Sequence, residues 1–263
     1  MSDEYPKYLY KYRAIKNLND LSKDYAVDAL LKNEAIFSNR TNFNDLFDSK
    51  IELIKPSPRQ FKEMKFLVGK ADKKIIDDCI SKGEFTSTGI EIIQGVEAEF
   101  NKIIDKYAFM CVSKNPNSNL MWSHYSDSHT GFCIEFKSRY MKADKVVYQK
   151  CIPRLNTIEM LRLHFKLNDG KVLGEHIWNA LRTKLDEWEY ESEYRFQANG
   201  SMAHIPAGKT FVKVPYDSHF VESIIFGCRI RDDVKKFIMG NMPGHVKFKQ
   251  ALARISTIEI VNV

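Results

Sequence analysis

The sequence predicts an α+β fold with a mixed or antiparallel β core, flanking helices and a helical insertion near residues 59–105. Short segments such as 8–13 alternate aromatic with polar residues, which is typical of strands. Apolar residues recur at helical spacing between 59 and 105. With 263 residues, 44% of them hydrophobic and 28% charged, the chain can bury a sizeable core. We expect one domain spanning 1–263.

Each element follows from its local pattern. Short apolar runs rich in β-branched and aromatic residues predict strands at 8–13, 35–38, 107–112, 131–136, 145–149, 194–197, 210–214, 223–226 and 254–263. Apolar residues three and four positions apart predict helices at 20–32, 59–82, 89–105, 157–167, 173–187 and 231–240, with a helical turn at 120–126. Pro56 and Pro58 interrupt the chain where the insertion begins.

Charge and cysteine content limit the possible partners and compartments. The formal net charge of +6 permits a polyanionic partner, but without a long basic run it favours a mixed, solvated surface. Five widely spaced cysteines, with no Cys-x-x-Cys pair, argue against a zinc site and predict reduced thiols in the cytoplasm. No apolar run reaches the roughly 18 residues of a membrane span, so no membrane association is expected.

Two groups of polar residues follow the first two predicted strands. Arg13 ends the first strand, where its guanidinium could hold a phosphate or simply cap the strand end. The loop after the second strand offers donors and acceptors for a ligand, or a turn that bonds to itself. Its candidate binding residues are Ser38, Asn42, Asn44 and Asp45.

A third group lies in the helical turn at 120–126. Trp122 and Tyr125 could stack on a ring such as nicotinamide or adenine, and His124 could transfer a proton. The alternative is core packing by the two aromatic residues and a structural hydrogen bond from His124. The five-residue gap between His124 and His129 is a poor spacing for metal binding on a helix, and no metal is expected here.

A fourth group places two carboxylates, Glu191 and Glu193, two positions apart. On a strand they would share one face, and their mutual repulsion would favour a raised pKa or a cationic neighbour. The alternative is a charged edge strand in which the carboxylates pair with Arg195 and nearby lysines.

Together these segments resemble a bacterial family known as domain of unknown function 2971. The most specific are Met-Trp-Ser-His-Tyr at 121–125 and Glu-x-Glu-Tyr-Arg at 191–195. The other matching segments are 9–13, 37–45, 111–113, 131–136 and 224–228. The family name implies no activity, and the stretch 59–105 lies outside the resemblance.

The order of elements is also similar to that of ADP-ribosyltransferase folds. That resemblance implies NAD as substrate, held by Arg13 and Ser38, with Glu191 or Glu193 stabilising the cationic transition state. It further implies a protein or nucleic acid as acceptor, and a role as a bacterial defence or toxin effector. The chain departs from the pattern after Ser38, where Asn39 and Arg40 replace a Thr-Ser pair.

Two other functions fit the same residues. A metal-dependent nuclease or phosphodiesterase would bind Mg²⁺ through Asp45, Asp48, Glu191 and Glu193. A non-enzymatic module would use the Trp–His–Tyr group and the Asn-rich loop to bind a nucleotide without turnover.

Overall fold

The computed structural model describes residues 4–197, 205–206 and 208–263, and it has the predicted α+β fold. The chain forms two compact units. The first unit comprises the described residues of 1–42, 108–146 and 186–263. The second comprises 43–107 and 147–185, and therefore contains the predicted helical insertion. That the chain folds as a single domain stays a prediction.

The elements alternate along the chain. The strands are β1 (Tyr8–Arg13), β2 (Glu34–Ser38), β3 (Glu52–Ile54), β4 (Ile80–Ser81), β5 (Glu84–Phe85), β6 (Phe109–Ser113), β7 (Phe132–Lys137), β8 (Asp144–Lys145), β9 (Val147–Gln149), β10 (Arg154–Asn156), β11 (Thr183–Leu185), β12 (Glu193–Gln197), β13 (Phe211–Pro215), β14 (Val221–Phe226), β15 (Lys247–Ala253) and β16 (Ile258–Asn262). The helices are α1 (Tyr25–Leu31), α2 (Pro58–Glu63), α3 (Lys70–Asp78), α4 (Ser87–Ile104), α5 (Asn119–Tyr125), α6 (Thr157–His164), α7 (Lys171–Leu181) and α8 (Asp232–Asn241).

A mixed, mostly antiparallel sheet forms the first unit. Its strands run in the order β13-β2-β6-β1-β7-β14-β15-β16, with β12 on β6 and β8 on β12. The alternation of β1 explains how both faces are covered. Leu9 belongs to the core that includes Leu30 of α1 and Ile238 of α8. Tyr12 belongs to a separate cluster with Trp122 of α5. The sheet is therefore packed on both faces.

The sheet is split beside β6. One edge of β6 pairs along its whole length with β12. The other edge pairs with β1 only at Ser113, opposite Tyr10, and with β2 only at Phe109, opposite Ser38. Between these two pairings a side chain from β1 reaches β6.

The second unit is mainly helical. Phe61, Met64, Ile76, Ile93 and Leu161 contribute to its core, which α2, α3, α4 and α6 share. Three short strand pairs accompany the helices: β3 with β10, β9 with β11, and β4 with β5. Within the described residues, no helix is both long enough and apolar enough to cross a membrane.

Several predicted boundaries were wrong. The single helix predicted over 59–82 is two helices, because a 3₁₀ turn at Met64–Phe66 and the extended backbone of Gly69 separate α2 from α3. The helix predicted over 173–187 ends at Leu181, and β11 follows. The strand predicted over 254–263 is β16, which starts at Ile258, and β15 was not predicted.

Candidate functional site

The two predicted carboxylates sit on different local structures of the first unit. Glu191 ends a 3₁₀ turn, Asp186–Glu191, whereas Glu193 begins β12. Between them Ser192 has a φ of 47°, in the left-handed region that interrupts a strand. The expectation that both carboxylates share one strand face therefore does not hold, and each has its own surroundings.

Glu191 is held from two sides. The hydroxyl of Tyr125, the last residue of α5, donates a 2.5 Å hydrogen bond to Oε1 of Glu191. The hydroxyl of Ser113, at the end of β6, donates to the backbone oxygen of Glu191 at 2.6 Å. The residue is only 3% exposed. Its carboxylate is thus fixed in a largely desolvated position.

Tyr125, which bonds this carboxylate, belongs to a group of aromatic rings. The exposed ring of His124 lies 6.3 Å from that of Tyr190 and 6.5 Å from that of Tyr125. Trp122 is completely buried, with its ring centroid 5.0 Å from that of Tyr12 in an edge-to-face arrangement and its Nε1 donating to the Pro116 oxygen at 2.8 Å. Tyr125 and His124 can therefore face a ligand, while Trp122 supports them from within the core.

Glu193 forms a buried ion pair with Arg195. The Arg195 guanidinium donates to Oε1 at 2.8 Å and to Oε2 at 3.3 Å. Arg195 is fully buried and also lies over the ring of Phe109, at 4.8 Å. Both oxygens of Glu193 thus accept from a fixed cation. The alternative interpretation expected this pairing with Arg195, but on an edge strand, whereas β12 pairs with both β6 and β8 and the ion pair is buried.

Lys11 is the residue of this region that the sequence analysis missed. Its Nζ donates to the backbone oxygen of Cys111 of β6 at 2.8 Å. Burial lowers the pKa of Lys11, and repulsion from Arg13 adds to this, whereas Glu193 and Glu191 act in the opposite direction. The sequence signal that could have identified Lys11 is a lysine in the middle of an alternating aromatic strand.

Arg13, Ser38 and Asn42 form a second group on the first unit. Arg13 lies over the ring of Tyr25 at 5.7 Å, and burial lowers its pKa. The Tyr25 ring meets that of Phe211, which pairs with Ser38. Asn42 donates to the Ser38 hydroxyl at 3.3 Å. Charges of both groups act on the pKa of Lys11, which Arg13 lowers and which Glu193 and Glu191 raise.

The remaining predicted binding residues, Asn44 and Asp45, belong to the second unit. Asn44 is exposed, and Asp45 accepts a hydrogen bond from the backbone nitrogen of Phe47 at 2.9 Å, as in the predicted turn. In the same unit, Asp48 pairs with Lys184 at 3.4 Å. Among the described residues, no three His, Cys, Asp or Glu side chains come together in a way that could hold a metal ion.

The family comparison matches the part of the chain that carries most of these groups. Residues 121–196 match the family described as "Protein of unknown function (DUF2971)", which confirms the predicted resemblance over that range. The matched range includes Tyr125, Glu191, Glu193 and Arg195. No curated protein and no solved structure matches the chain.

Proposed function

We propose that the DUF2971-like segment forms the catalytic part of an NAD-dependent enzyme of ADP-ribosyltransferase type, with Glu191 as its working carboxylate. The observation that supports this most is the bond between Tyr125 and Glu191. It holds a nearly buried carboxylate beside aromatic rings, at the edge of a split sheet.

The chemistry explains why such a carboxylate is needed. Cleavage of the bond between nicotinamide and ribose leaves positive charge on the sugar. A preorganised carboxylate stabilises that charge most strongly where water is excluded, as in glycoside hydrolysis. Glu191 is 3% exposed and held by hydrogen bonds to its side chain and its backbone, so it needs little reorganisation.

The neighbouring residues have complementary roles in this proposal. The half-buried ring of Tyr125 is suited to stack against nicotinamide, and the exposed His124 to transfer a proton at the acceptor. Arg13 is the candidate for holding the diphosphate. Glu193 compensates the positive charge of Arg195, so its role is structural and it does not contact the sugar.

The choice between Glu191 and Glu193 rests on their partners. The Arg195 guanidinium occupies both oxygens of the buried Glu193, which leaves them poorly placed to contact a substrate. Glu191 accepts from Tyr125, whose half-buried ring lies next to the exposed ring of His124, so it is the carboxylate closer to side chains that can reach a ligand.

The experiment is a nicotinamide-release assay on the full chain, run alongside thermal unfolding with and without NAD. We expect NAD to raise the melting temperature of the wild type and of Glu191→Gln, and only the wild type to release nicotinamide. Glu189→Gln is the matched control, since Glu189 lies exposed on the same 3₁₀ turn and its charge changes equally.

Other outcomes would favour the alternative functions. A thermal shift with NAD but no release by any variant would indicate a nucleotide-binding module. Neither shift nor release, together with Mg²⁺-dependent cleavage of RNA or DNA, would replace the proposal with the nuclease.

A further inference from the structure

A polar pocket lies on the first unit. It has a volume of about 340 Å³. Its wall includes Tyr10 of β1, Glu135 of β7 and Lys249 of β15, with Asn117 and Asn262 contributing at the rim. None of the residues that line it is one of the binding or catalytic residues proposed above.

Glu135 is the centre of a hydrogen-bond network in the wall of this pocket. Its Oε1 accepts from the Tyr10 hydroxyl at 3.0 Å. Its Oε2 accepts from Lys249 Nζ at 2.7 Å and from the Ser223 hydroxyl. The Glu135 side chain is 2% exposed and that of Lys249 is 21% exposed. The carboxylate is therefore enclosed, while the lysine reaches solvent.

A contribution to fold stability does not by itself explain the ion pair between Glu135 and Lys249. Desolvating two charges costs about as much as their attraction returns, and apolar side chains of similar size often stabilise a fold as well or better. Here the pair lies in a pocket wall that also contains the buried apolar Ile225. Its place in the pocket wall indicates a role in binding.

The network also fixes what the pocket can bind. Tyr10 stays protonated because burial and the charge of Glu135 raise its pKa, so it remains a donor to Glu135. With three donors on the carboxylate, the Lys249 ammonium is held in one position and keeps two further N–H groups. The side-chain amides of Asn117 and Asn262 can add more donors.

We propose that this pocket binds a small molecule through a carboxylate or phosphate group, with Lys249 contacting the anionic oxygen and Glu135 positioning Lys249. The ammonium is a point charge suited to either oxyanion. The volume of about 340 Å³ leaves room for a small molecule attached to that group.

The test uses inorganic phosphate and succinate as probes, titrated against the full chain at constant ionic strength maintained with sodium chloride. We expect saturable thermal stabilisation of the wild type by at least one probe. We expect Lys249→Met to weaken the apparent affinity at least tenfold. The matched control is Lys247→Met, because Lys247 lies on the same strand, pairs with Glu222 and does not line the pocket.

A second variant distinguishes loss of binding from loss of folding. Lys249→Met leaves Glu135 buried without its cation, which is destabilising. The double variant Glu135→Gln with Lys249→Met removes both charges and should fold. Loss of probe binding in that double variant supports the proposal. Equal stabilisation of the wild type and the double variant, or no saturable effect of either probe on the wild type, would overturn it. Neither result depends on NAD cleavage.

Discussion

The hydroxyl of Tyr125 lies 2.5 Å from Oε1 of Glu191, a residue 66 positions further along the chain. This bond joins the end of α5 to the turn that precedes β12. Because Glu191 is almost fully buried, the hydrogen bond from the Tyr125 hydroxyl contributes strongly to the electrostatic environment of this carboxylate.

Replacing Tyr125 by Phe should lower both stability and turnover. The buried Glu191 would lose a charge-assisted hydrogen bond, which costs roughly 1.5–3 kcal/mol. Urea unfolding measures the stability change, and nicotinamide release measures turnover. As a control, Tyr140→Phe removes an exposed hydroxyl that contacts only its neighbour Arg139 in the hydrogen bonds described, and it should change neither. Unchanged stability of Tyr125→Phe would mean that the bond is not maintained in solution.

Replacing Glu193 by Gln should strongly destabilise the fold. Arg195 is fully buried, so removal of its partner charge leaves an incompletely compensated guanidinium, at a cost of about 3–5 kcal/mol. Glu259→Gln breaks an exposed ion pair with Arg254 and should cost no more than about 1 kcal/mol. Chemical denaturation compares the two variants. Similar small losses in both would show that the buried pair contributes no more than a surface pair.

The lowered pKa of Lys11 should be visible in how the free energy of unfolding depends on pH. Its folded pKa is lowered by burial, so between that value and the unfolded value of about 10.4 only the unfolded state binds the proton. Stability therefore rises with pH across this window, and Lys11→Met should remove that rise. The measurement is the difference in unfolding free energy between wild type and variant as pH increases.

Lys213 provides a control of opposite sign. Hydrogen bonds from Lys213 to Glu34 and Asp28 raise its folded pKa above the ordinary value. Its stabilising contribution is thus present below the unfolded pKa and is lost as pH rises through the folded value. Lys213→Met should remove a decline rather than a rise. The same sign in both variants would contradict the burial of Lys11.

Trp122 should behave as a core residue. It is completely buried, so Trp122→Phe loses the bond to the Pro116 oxygen and some packing, about 1–3 kcal/mol in all. We expect its NAD affinity to stay close to that of the wild type, as measured by calorimetric titration below its melting temperature. A large loss of affinity without loss of stability would instead mean that Trp122 contacts the nucleotide directly.

Local patterns predicted the α+β class and most of the elements. The aromatic alternation of β1 and the apolar periodicity of α4 are strong signals, because β1 places alternate residues on two packed faces and α4 buries one apolar face. By contrast β15, with the sequence Lys-Phe-Lys-Gln-Ala-Leu-Ala, has weak strand propensity. It forms because β14 and β16 pair with its two edges, which no local pattern reveals.

The site was predictable in its residue types but not in its contacts. The sequence singled out Tyr125 and Glu191 separately, and their bond depends on the approach of α5 to a turn far along the chain. The parity argument for Glu191 and Glu193 failed because Ser192 adopts a left-handed φ. The network around Glu135 draws residues from four strands, so no local spacing could indicate it.

The most direct test of Glu191 as the working carboxylate is nicotinamide release from NAD by wild type and Glu191→Gln, both saturated with NAD. We expect the wild type to release nicotinamide and Glu191→Gln to release it at least about 100-fold more slowly, because one preorganised charge in a desolvated site contributes on that order. Release by Glu191→Gln at the wild-type rate, or none by either protein, would contradict the assignment of Glu191 as the working carboxylate.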